Sequence, residues 1–494
     1  MQAKTLDKIT IIYLIIPMVI FLIGWLNPLV ALVSCTVLLI VVFQVFKGLL
    51  NRKLEIKKSQ LIFMFLIAVV WCILAGIGGL YYQSTDWHMR NAIFRDLVNF
   101  SYPVIYDNGA ALVYYMGFFL PGAIVGKLVL FLHASPEWAY KIGCLFSLLY
   151  SSVGIGLLFL HLMLLTNAKK KQYFLIILLF ILFSGLDILF GSSNYFGCWH
   201  IEWHKPFFQL SSNTTLLFWV YNQAIAPWLL TALFLRRPYN ISNYGFLGTL
   251  GLFYAPMPFI GLFIYLISMA IFMFLKRLNK RYFIRFLKNL FNIKNILSIF
   301  VLLPIFYLYY SSNLTASSRH YSIANPLIIW FNVLVEVGIF LFIIYKNNRK
   351  NPIYYVTVFI LFFCTLFKLK GNADFCMRTT IPVTFVLFVL VVKYLLFSNN
   401  KVCKVILSIA LLLGMVTPIF EFSRGIFVSY IFNLEKVVKD DIFTLNNKIR
   451  KDCKRQVLTT TDALAINFGN YKNYGAVDLD KHIFFKYLAK RPRK

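Results

Sequence analysis

Long uninterrupted runs of apolar residues constrain what this chain can fold into more than any other feature. Runs such as Leu61 to Tyr81 and Val405 to Phe420 carry no polar stripe that could face water along a helix. Several runs approach or reach the roughly 20 residues that a membrane-spanning helix needs. They also lack the polar–apolar alternation of the strands in a membrane barrel. The runs therefore predict an all-α, polytopic membrane protein.

The charged residues are few and strongly biased towards lysine and arginine. Only 14% of the 494 residues are charged, whereas soluble domains carry about 25%. The net charge of +31 comes from short basic clusters between the apolar runs, which is the pattern left by the positive-inside rule. This pattern indicates membrane lipids as partners and argues against nucleic acid.

Six basic clusters determine the predicted topology, because lysine and arginine concentrate in cytoplasmic loops. The clusters are Arg52 to Lys58, Lys169 to Lys171, Arg236 with Arg237, Lys276 to Lys294, Lys346 to Lys350, and Lys401 with Lys404. With all six inside, the chain has about 13 spans, an inside N-terminus and an outside C-terminus. The predicted spans are 9–25, 28–46, 60–80, 138–165, 172–190, 214–235, 241–254, 257–275, 295–310, 326–345, 352–369, 379–397 and 404–420.

One apolar segment does not fit a simple series of crossings. Segments 111–133 and 138–165 both lie between the outer end of the third span and the inside cluster at Lys169. Only one of them can cross, and Gly117 and Pro121 interrupt the first. Broken backbone at membrane depth is tolerated only where protein or a cavity covers it. We therefore predict that 111–133 lies along the outer surface or re-enters the membrane.

The chain divides into a large membrane part and a more polar tail. Residues 1–421 form the predicted transmembrane domain, and 422–494 form a small outer domain or a lid. The larger outer loops are 81–137, 191–213, 311–325 and 370–378. Surface helices near the membrane are expected in the first of these loops.

The scarce carboxylates concentrate on the predicted outer face. Ten of the eighteen acidic residues precede Glu421. Six of those ten lie in outer loops, namely Asp86, Asp96, Asp107, Glu137, Glu202 and Asp374. Carboxylates are the usual general bases and hard-metal ligands, so any chemistry is expected on this face.

The first outer loop offers Asp86 and Asp96 as candidate catalytic acids. Read as a helix, the loop places Asp86 and Arg90 on one face, four residues apart. Asp86 stands directly before this helix, so a simple capping role is the alternative. Both interpretations stay open on the local sequence.

The second loop contains a possible metal or acid–base cluster. In an extended segment, His200, Glu202 and His204 point to the same side, as metal ligands or proton-transfer groups would. The alternative is an interfacial belt of aromatic residues in which the histidines are only hydrogen-bonded.

Arg378 is the main candidate for binding a phosphate. It lies at the outer mouth of a predicted span, beside a helix N-terminus, which suits a phosphate or pyrophosphate group. An ion pair with Asp374 that only orients the loop is the alternative. Arg319 and His320 are candidates of the same kind. Glu336 falls in mid-span, where a carboxylate is functional by default or is protonated and bonded to a neighbouring helix.

Several short strings resemble a known superfamily. Leu112-Val113-Tyr114-Tyr115, with Glu137-Trp138-Ala139 downstream, is similar to a stretch in lipid A aminoarabinose transferases and protein mannosyltransferases, which belong to the GT-C glycosyltransferases. Asp86-Trp87-His88, His200-Ile201-Glu202-Trp203 and Asp374-Phe375-Cys376-Met377-Arg378 look like a bacterial group of GT-C-like membrane proteins. The resemblance spans roughly residues 60–400.

The resemblance implies glycosyl transfer at the outer face of a bacterial cytoplasmic membrane. A polyprenyl-phosphate sugar would be the donor, and an envelope glycan or lipid the acceptor. By motif position Asp86 is the expected base of an inverting transfer, with Asp96 and Glu202 as other candidates. Arg378, with His88 or a divalent cation (Mg²⁺ or Mn²⁺), would stabilise the leaving phosphate. An Asp-x-Asp pair is absent at Asp86, so a cation requirement stays open.

Two other functions are compatible with the same sequence. A polysaccharide polymerase or ligase would use a diphosphate-linked donor and rely on arginines in a large outer loop. A lipid or oligosaccharide transporter, such as a flippase, would need inverted repeats and ionisable residues along a mid-membrane path. Glu336 is the main residue that favours the transporter.

Overall fold

The computed structural model describes residues 2–49, 51, 54–83, 86–106, 109–190, 201–202, 208–276, 280–316, 321–369, 373–426 and 474–490. Within them the chain is almost entirely helical. The α-helices are α1 (Ala3–Trp25), α2 (Pro28–Lys47), α3 (Lys58–Leu74), α4 (Trp87–Asn99), α5 (Leu120–Phe131), α6 (Pro136–Thr166), α7 (Tyr173–Ile181), α8 (Asn213–Arg236), α9 (Tyr244–Tyr254), α10 (Pro256–Leu275), α11 (Lys280–Leu290), α12 (Ile293–Leu297), α13 (Leu303–Ser311), α14 (Pro326–Val333), α15 (Ile339–Asn348), α16 (Pro352–Phe363), α17 (Asp374–Thr379), α18 (Ile381–Phe397), α19 (Lys401–Gly414) and α20 (Val416–Ile426).

Three π-helical turns, several short 3₁₀ turns and four short strands complete the described part of the chain. Two of the π-helical turns, Ser298–Leu302 and Leu334–Gly338, join α12 to α13 and α14 to α15, and the third is Phe484–Leu488. The strands are β1 (Ala111–Leu112), β2 (Tyr321–Ile323), β3 (Phe367–Leu369) and β4 (Gly475–Ala476). They form two antiparallel pairs, β1 with β4 and β2 with β3.

Eight helical stretches in the described chain are long and apolar enough to cross a membrane. They are Ala3–Trp25, Pro28–Lys47, Pro136–Thr166, Asn213–Arg236, Pro256–Leu275, Arg281–Ser311, Pro326–Asn348 and Lys401–Ile426. Shorter apolar helices cover Lys58–Leu74, Gly117–Phe131, Pro352–Leu366 and Ile381–Phe397. The helices agree with the predicted all-α membrane class, while the number of about 13 spans stays a prediction.

The starts of several apolar helices follow from a simple local signal, a polar cap followed by proline. Asn27, Ser135, Asn325 and Asn351 each precede a proline and accept a hydrogen bond from a backbone N–H of the first helical turn. The capping side chain accepts from a backbone N–H that has no partner within the helix. Proline fits the first helical position because the N–H that it lacks would not be bonded within the helix there.

The predicted span over 172–190 is α-helical only as far as Ile181. Nine helical residues rise about 14 Å, which is less than half of the hydrocarbon thickness. Beyond α7 the backbone is irregular over residues 182–186, where other segments cover it, and a short 3₁₀ turn follows at Asp187–Phe190. The Leu186 N–H donates to the Glu336 carbonyl over 3.0 Å, and a Cβ on Gly414 would lie 2.8 Å from the Ser184 carbonyl oxygen. Protein thus shields this irregular segment, as buried irregular backbone requires.

Helix α5 reaches deep into the bundle although it is short. At its start the Phe118 ring lies 5.5 Å from the ring of Tyr150, near the middle of α6, and at its other end a turn at His133 leads into α6. A Cβ on Gly122 would lie 2.7 Å from the Gly143 carbonyl oxygen, so the two helices need glycine where they cross. The shape is compatible with a segment that re-enters, whose place in the membrane stays a prediction.

Residues 474–490, the C-terminal strap, tie one end of the bundle together. The strap pairs with β1 and bonds to the turn between α1 and α2, where the Asn27 N–H donates to the Leu488 carbonyl over 2.9 Å. Phe484 is fully buried against the rings of Phe21 and Tyr309. Most of the predicted outer domain, 427–473 and 491–494, lies outside the described residues. Helix α20 continues to Ile426, past the predicted boundary after residue 421.

Candidate active site

A polar cavity opens where α4, α8 and α17 begin. Its volume is about 190 Å³. Residues from three predicted outer loops and from α8 line it, among them Asp86, Gln209, Ser211, Trp219, Asp374 and Arg378. The structure therefore brings together two of the predicted site residues, Asp86 and Arg378, from opposite halves of the chain.

Asp86 faces this cavity from the start of α4. Its carboxylate accepts a hydrogen bond from Arg90 over 3.2 Å, and its side chain is 51% exposed while that of Arg90 is 6% exposed. Asp86 occupies the position before α4 but makes no capping bond, so the capping alternative is wrong for its side chain. The helix is anchored next to it, because the Trp87 indole donates to the Phe218 carbonyl of α8 over 3.0 Å. Asp86 thus combines an accessible carboxylate with a fixed backbone.

Arg378 is held in place from two sides. One terminal nitrogen bonds to Asp374 over 3.1 Å and the other donates to the Tyr115 hydroxyl over 2.8 Å. Burial alone would lower the pKa of Arg378, but the carboxylates of Asp374 and Asp86 and the nearby tyrosines raise it. The ion pair with Asp374 and a role in anion binding are compatible, since the guanidinium is oriented by the pair and still lines the cavity.

Three tyrosines surround this guanidinium. The rings of Tyr114 and Tyr115 lie 3.8 Å apart, and Tyr474 of the C-terminal strap lies 5.0 Å from Tyr114. Burial raises the pKa of Tyr474 to about 12, while Arg90 and Arg378 both oppose that rise. Both arginines therefore act on the same small region at the cavity edge.

Glu202 lies behind the cavity wall. It is fully buried and accepts hydrogen bonds from the Ser212 N–H (2.8 Å), the Thr215 hydroxyl (2.7 Å) and the Gln209 amide (3.1 Å). Burial raises its pKa to about 7, and the carboxylate of Asp187 adds to the rise. Gln209 and Thr215 also line the cavity, so the hydrogen bonds of Glu202 hold two side chains of the cavity wall in position.

Asp96 is not brought to the cavity. It lies ten residues further along α4, which is about 15 Å of helix rise from Asp86. Its side chain is fully buried and accepts a hydrogen bond from the Tyr106 hydroxyl over 3.2 Å. Asp96 therefore bonds to the segment after α4 and is not among the residues that line the cavity with Asp86.

Of the predicted metal ligands the structure describes only Glu202, and of the remaining phosphate candidates it describes at most the backbone. His200, His204, Arg319 and His320 lie outside the described residues, and of His88 only the backbone, within α4, is described. In the part of the chain that the structure describes, no group of three or more His, Cys, Asp or Glu side chains is arranged to hold a metal ion. The cation stays a prediction.

A buried ion pair next to the cavity was not predicted. Arg424 bonds to Glu421 over 2.7 Å, and their side chains are 5% and 1% exposed. Trp219, which lines the cavity, donates to Glu421 over 3.1 Å, and the Arg424 guanidinium lies 4.9 Å from its ring centre. The sequence could have indicated this pair, because Glu421 and Arg424 are opposite charges three residues apart in an otherwise apolar helical segment.

Helices of this length and apolar character define a multi-pass α-helical membrane protein. Comparison with models of known protein families, with curated proteins and with solved structures finds no match for this chain. The function therefore has to be argued from the site itself.

Proposed function

We propose that this protein is a glycosyltransferase that moves a sugar from a polyprenyl-phosphate donor to a glycan or lipid acceptor of the cell envelope. The observation that carries the proposal is the shared cavity of Asp86 and Arg378. A carboxylate and a fixed cation in the lining of one cavity suit a reaction in which a hydroxyl loses a proton while a phosphate leaves. The outer face of a bacterial cytoplasmic membrane is the proposed location.

Asp86 is the proposed general base. Its carboxylate takes the proton of an acceptor hydroxyl while the hydroxyl oxygen attacks the anomeric carbon of the sugar. The bond from that carbon to the phosphate oxygen breaks, and polyprenyl phosphate leaves with the electron pair. Attack from the side opposite the leaving group inverts the configuration at the anomeric carbon. Arg90 orients the carboxylate through its bond of 3.2 Å.

Arg378 is the proposed ligand of the leaving phosphate. Asp374 and Tyr115 hold its two terminal nitrogens, so little reorganisation is needed when negative charge develops on the phosphate. The low exposure of its side chain, 14%, strengthens the electrostatic interaction relative to one in water. A divalent cation would add to this stabilisation if His200, Glu202 and His204 bind one.

Replacement of the base tests the proposal. Asp86→Asn keeps the size of the side chain but cannot accept the proton, and we expect transfer to fall about 10²–10⁴-fold. The measurement is sugar transfer from a purified polyprenyl-phosphate donor to envelope acceptors in membranes. Glu137→Gln, an exposed acid at the start of α6, is the matched control and should keep activity. Full transfer by Asp86→Asn would remove Asp86 from the mechanism.

The proximity of two arginines favours a second candidate, a polymerase or ligase with a diphosphate-linked donor. Arg90 bonds to Asp86, which lines the same cavity as Arg378, and a second phosphate would need a second cation. The two candidates differ in the donor. Parallel assays with a monophosphate-linked and a diphosphate-linked sugar separate them, since only one donor should be consumed.

A further inference from the structure

A second cavity lies at the opposite end of the bundle from the candidate active site. Its volume is about 400 Å³, and it is formed by the end of α10, by α11 and by Tyr239, which follows α8. Helix α8 connects the two ends, because its first residues line the active-site cavity and its last residue, Arg236, pairs with Asp7 at the start of α1. This end carries the predicted cytoplasmic clusters.

Helix α11 is strongly amphipathic and is packed against α10 by aromatic residues. The Phe274 ring of α10 lies 5.9 Å from Phe283 and 5.7 Å from Phe286. Even so, Tyr282 and Phe283 remain 45% and 41% exposed. A short helix with exposed aromatic residues and a basic face is typical of helices that lie in the membrane interface.

The cavity between α10 and α11 has a positive and aromatic lining. Lys276 and Arg285 supply the charge, and none of the described residues that line the cavity is acidic. The Lys276 ammonium lies 5.4 Å from the centre of the Phe272 ring, so its stem lies along an apolar wall. Tyr282 and Asn289 add hydrogen-bonding groups to the same lining. The cavity therefore offers two cations and neutral donors to one anion.

We propose that this cavity binds the phosphate headgroup of an anionic phospholipid of the inner leaflet. Lys276 and Arg285 would contact the phosphate diester, as basic pockets between helices at the cytoplasmic side do. The acyl chains would lie on exposed apolar side chains of α10, where Ile271 and Leu275 are 52% and 61% exposed. This adjoining apolar surface favours a lipid over free phosphate, which would use only the polar part of the cavity. The proposal does not depend on the glycosyltransferase.

Titration of lipids onto the full chain in detergent tests this site. Phosphatidylglycerol should raise the melting temperature by several degrees more than phosphatidylcholine, because a ligand that binds only the folded state stabilises it. The double variant Lys276→Gln/Arg285→Gln should lose that difference while keeping the melting temperature in phosphatidylcholine, since both side chains are exposed. Lys346→Gln/Arg349→Gln removes an equal charge from another exposed basic cluster and should keep the difference.

Three outcomes would overturn the site. Equal protection by both lipids in the unchanged protein would show that the cavity has no preference for an anionic headgroup. If both double variants lost the melting-temperature difference between the two lipids equally, the protein would respond to net charge rather than to a lipid in this cavity. If inorganic phosphate alone raised the melting temperature as much as phosphatidylglycerol does, the cavity would bind a free anion and not a lipid. Should the Lys276/Arg285 variant be unstable, mass analysis of co-purified phosphatidylglycerol in Arg285→Lys against Arg285→Gln provides the same comparison.

Discussion

Glu202 shows how a single buried carboxylate can join a loop to a helix. Three donors from the start of α8 and the segment before it converge on its two oxygens. Hydrogen bonds from the helix N-terminus favour the charged carboxylate, but burial outweighs them and raises its pKa from 4.5 to about 7. The pKa of Glu202 therefore lies close to neutral pH.

This pKa predicts a specific pH dependence of stability. A carboxyl whose pKa is higher in the folded state binds more protons there, so its contribution is greatest below 4.5 and is lost as the pH rises through about 7. We expect the protein to lose about 2–3 kcal/mol relative to Glu202→Gln between pH 5 and pH 8. The measurement is the unfolding midpoint against pH for both proteins.

The exposed Glu137 supplies the control for this experiment. Glu137→Gln should leave the pH dependence of the unfolding midpoint as it is in the unchanged protein. If Glu202→Gln and the unchanged protein instead gave parallel curves, Glu202 would have no shifted pKa in the folded state.

Charged residues of the site could be found from the sequence, whereas its neutral residues could not. Asp86 and Arg378 stand out because charged residues are scarce outside the basic clusters. Tyr115 belongs to the string Leu112-Val113-Tyr114-Tyr115, but nothing in that string indicates a bond to Arg378. Trp219 is one of nine tryptophans, and no local pattern marks it as a residue of the cavity. Their contacts depend on which helices pack against each other, and the local sequence does not show this tertiary packing.

At the scale of elements, local signals located the helix starts and tertiary contacts determined the exceptions. The predicted spans 28–46 and 138–165 begin within two residues of α2 and α6, which start after the caps Asn27 and Ser135. The predicted span 172–190 differed because Phe183 to Leu186 bond to other segments instead of continuing the helix. The apolar run alone does not show where α7 stops, because residues 182–190 continue it with Leu182, Phe183, Leu186, Ile188, Leu189 and Phe190.

The C-terminal strap could not have been predicted, since its pairing with β1 joins segments far apart in sequence. It presents Tyr474 to Tyr114 at the cavity edge, so its attachment should affect the site. Phe484 anchors it as a fully buried ring between Phe21 and Tyr309. Removal of a buried aromatic ring costs about 3–5 kcal/mol, which would be concentrated in the strap.

Phe484→Ala should therefore loosen the strap without unfolding the bundle. We expect faster hydrogen exchange across 474–490 and reduced sugar transfer, because Tyr474 would no longer be fixed beside Tyr114. Ile483→Ala, at a position that is 56% exposed, is the neighbouring control and should change neither. Unchanged exchange in Phe484→Ala would show that the backbone pairing alone holds the strap.

At the scale of the whole molecule, the distribution of charge predicts which end of the bundle faces the cytoplasm and which faces outward. The structure gathers Asp86, the turn at His133 and the strap at one end, and the Asp7–Arg236 pair with α11 at the other. The positive-inside rule assigns the second end to the cytoplasm. The end with the candidate active site would then face outward, where the proposed lipid-linked donor and envelope acceptor could both reach the cavity.

Labelling of single cysteines tests this assignment directly. In a background without the native cysteines, His133→Cys and Lys481→Cys should react with a membrane-impermeant maleimide in intact cells, since both positions are exposed and lie at the active-site end. Lys169→Cys and Arg349→Cys, also exposed, should react only after the membrane is opened. Reaction of all four in intact cells would indicate leaky cells and is checked with a cytoplasmic marker protein. If positions 133 and 481 were labelled from opposite sides, the strap could not lie beside the active site in the membrane, and an outward-facing glycosyltransferase would be untenable.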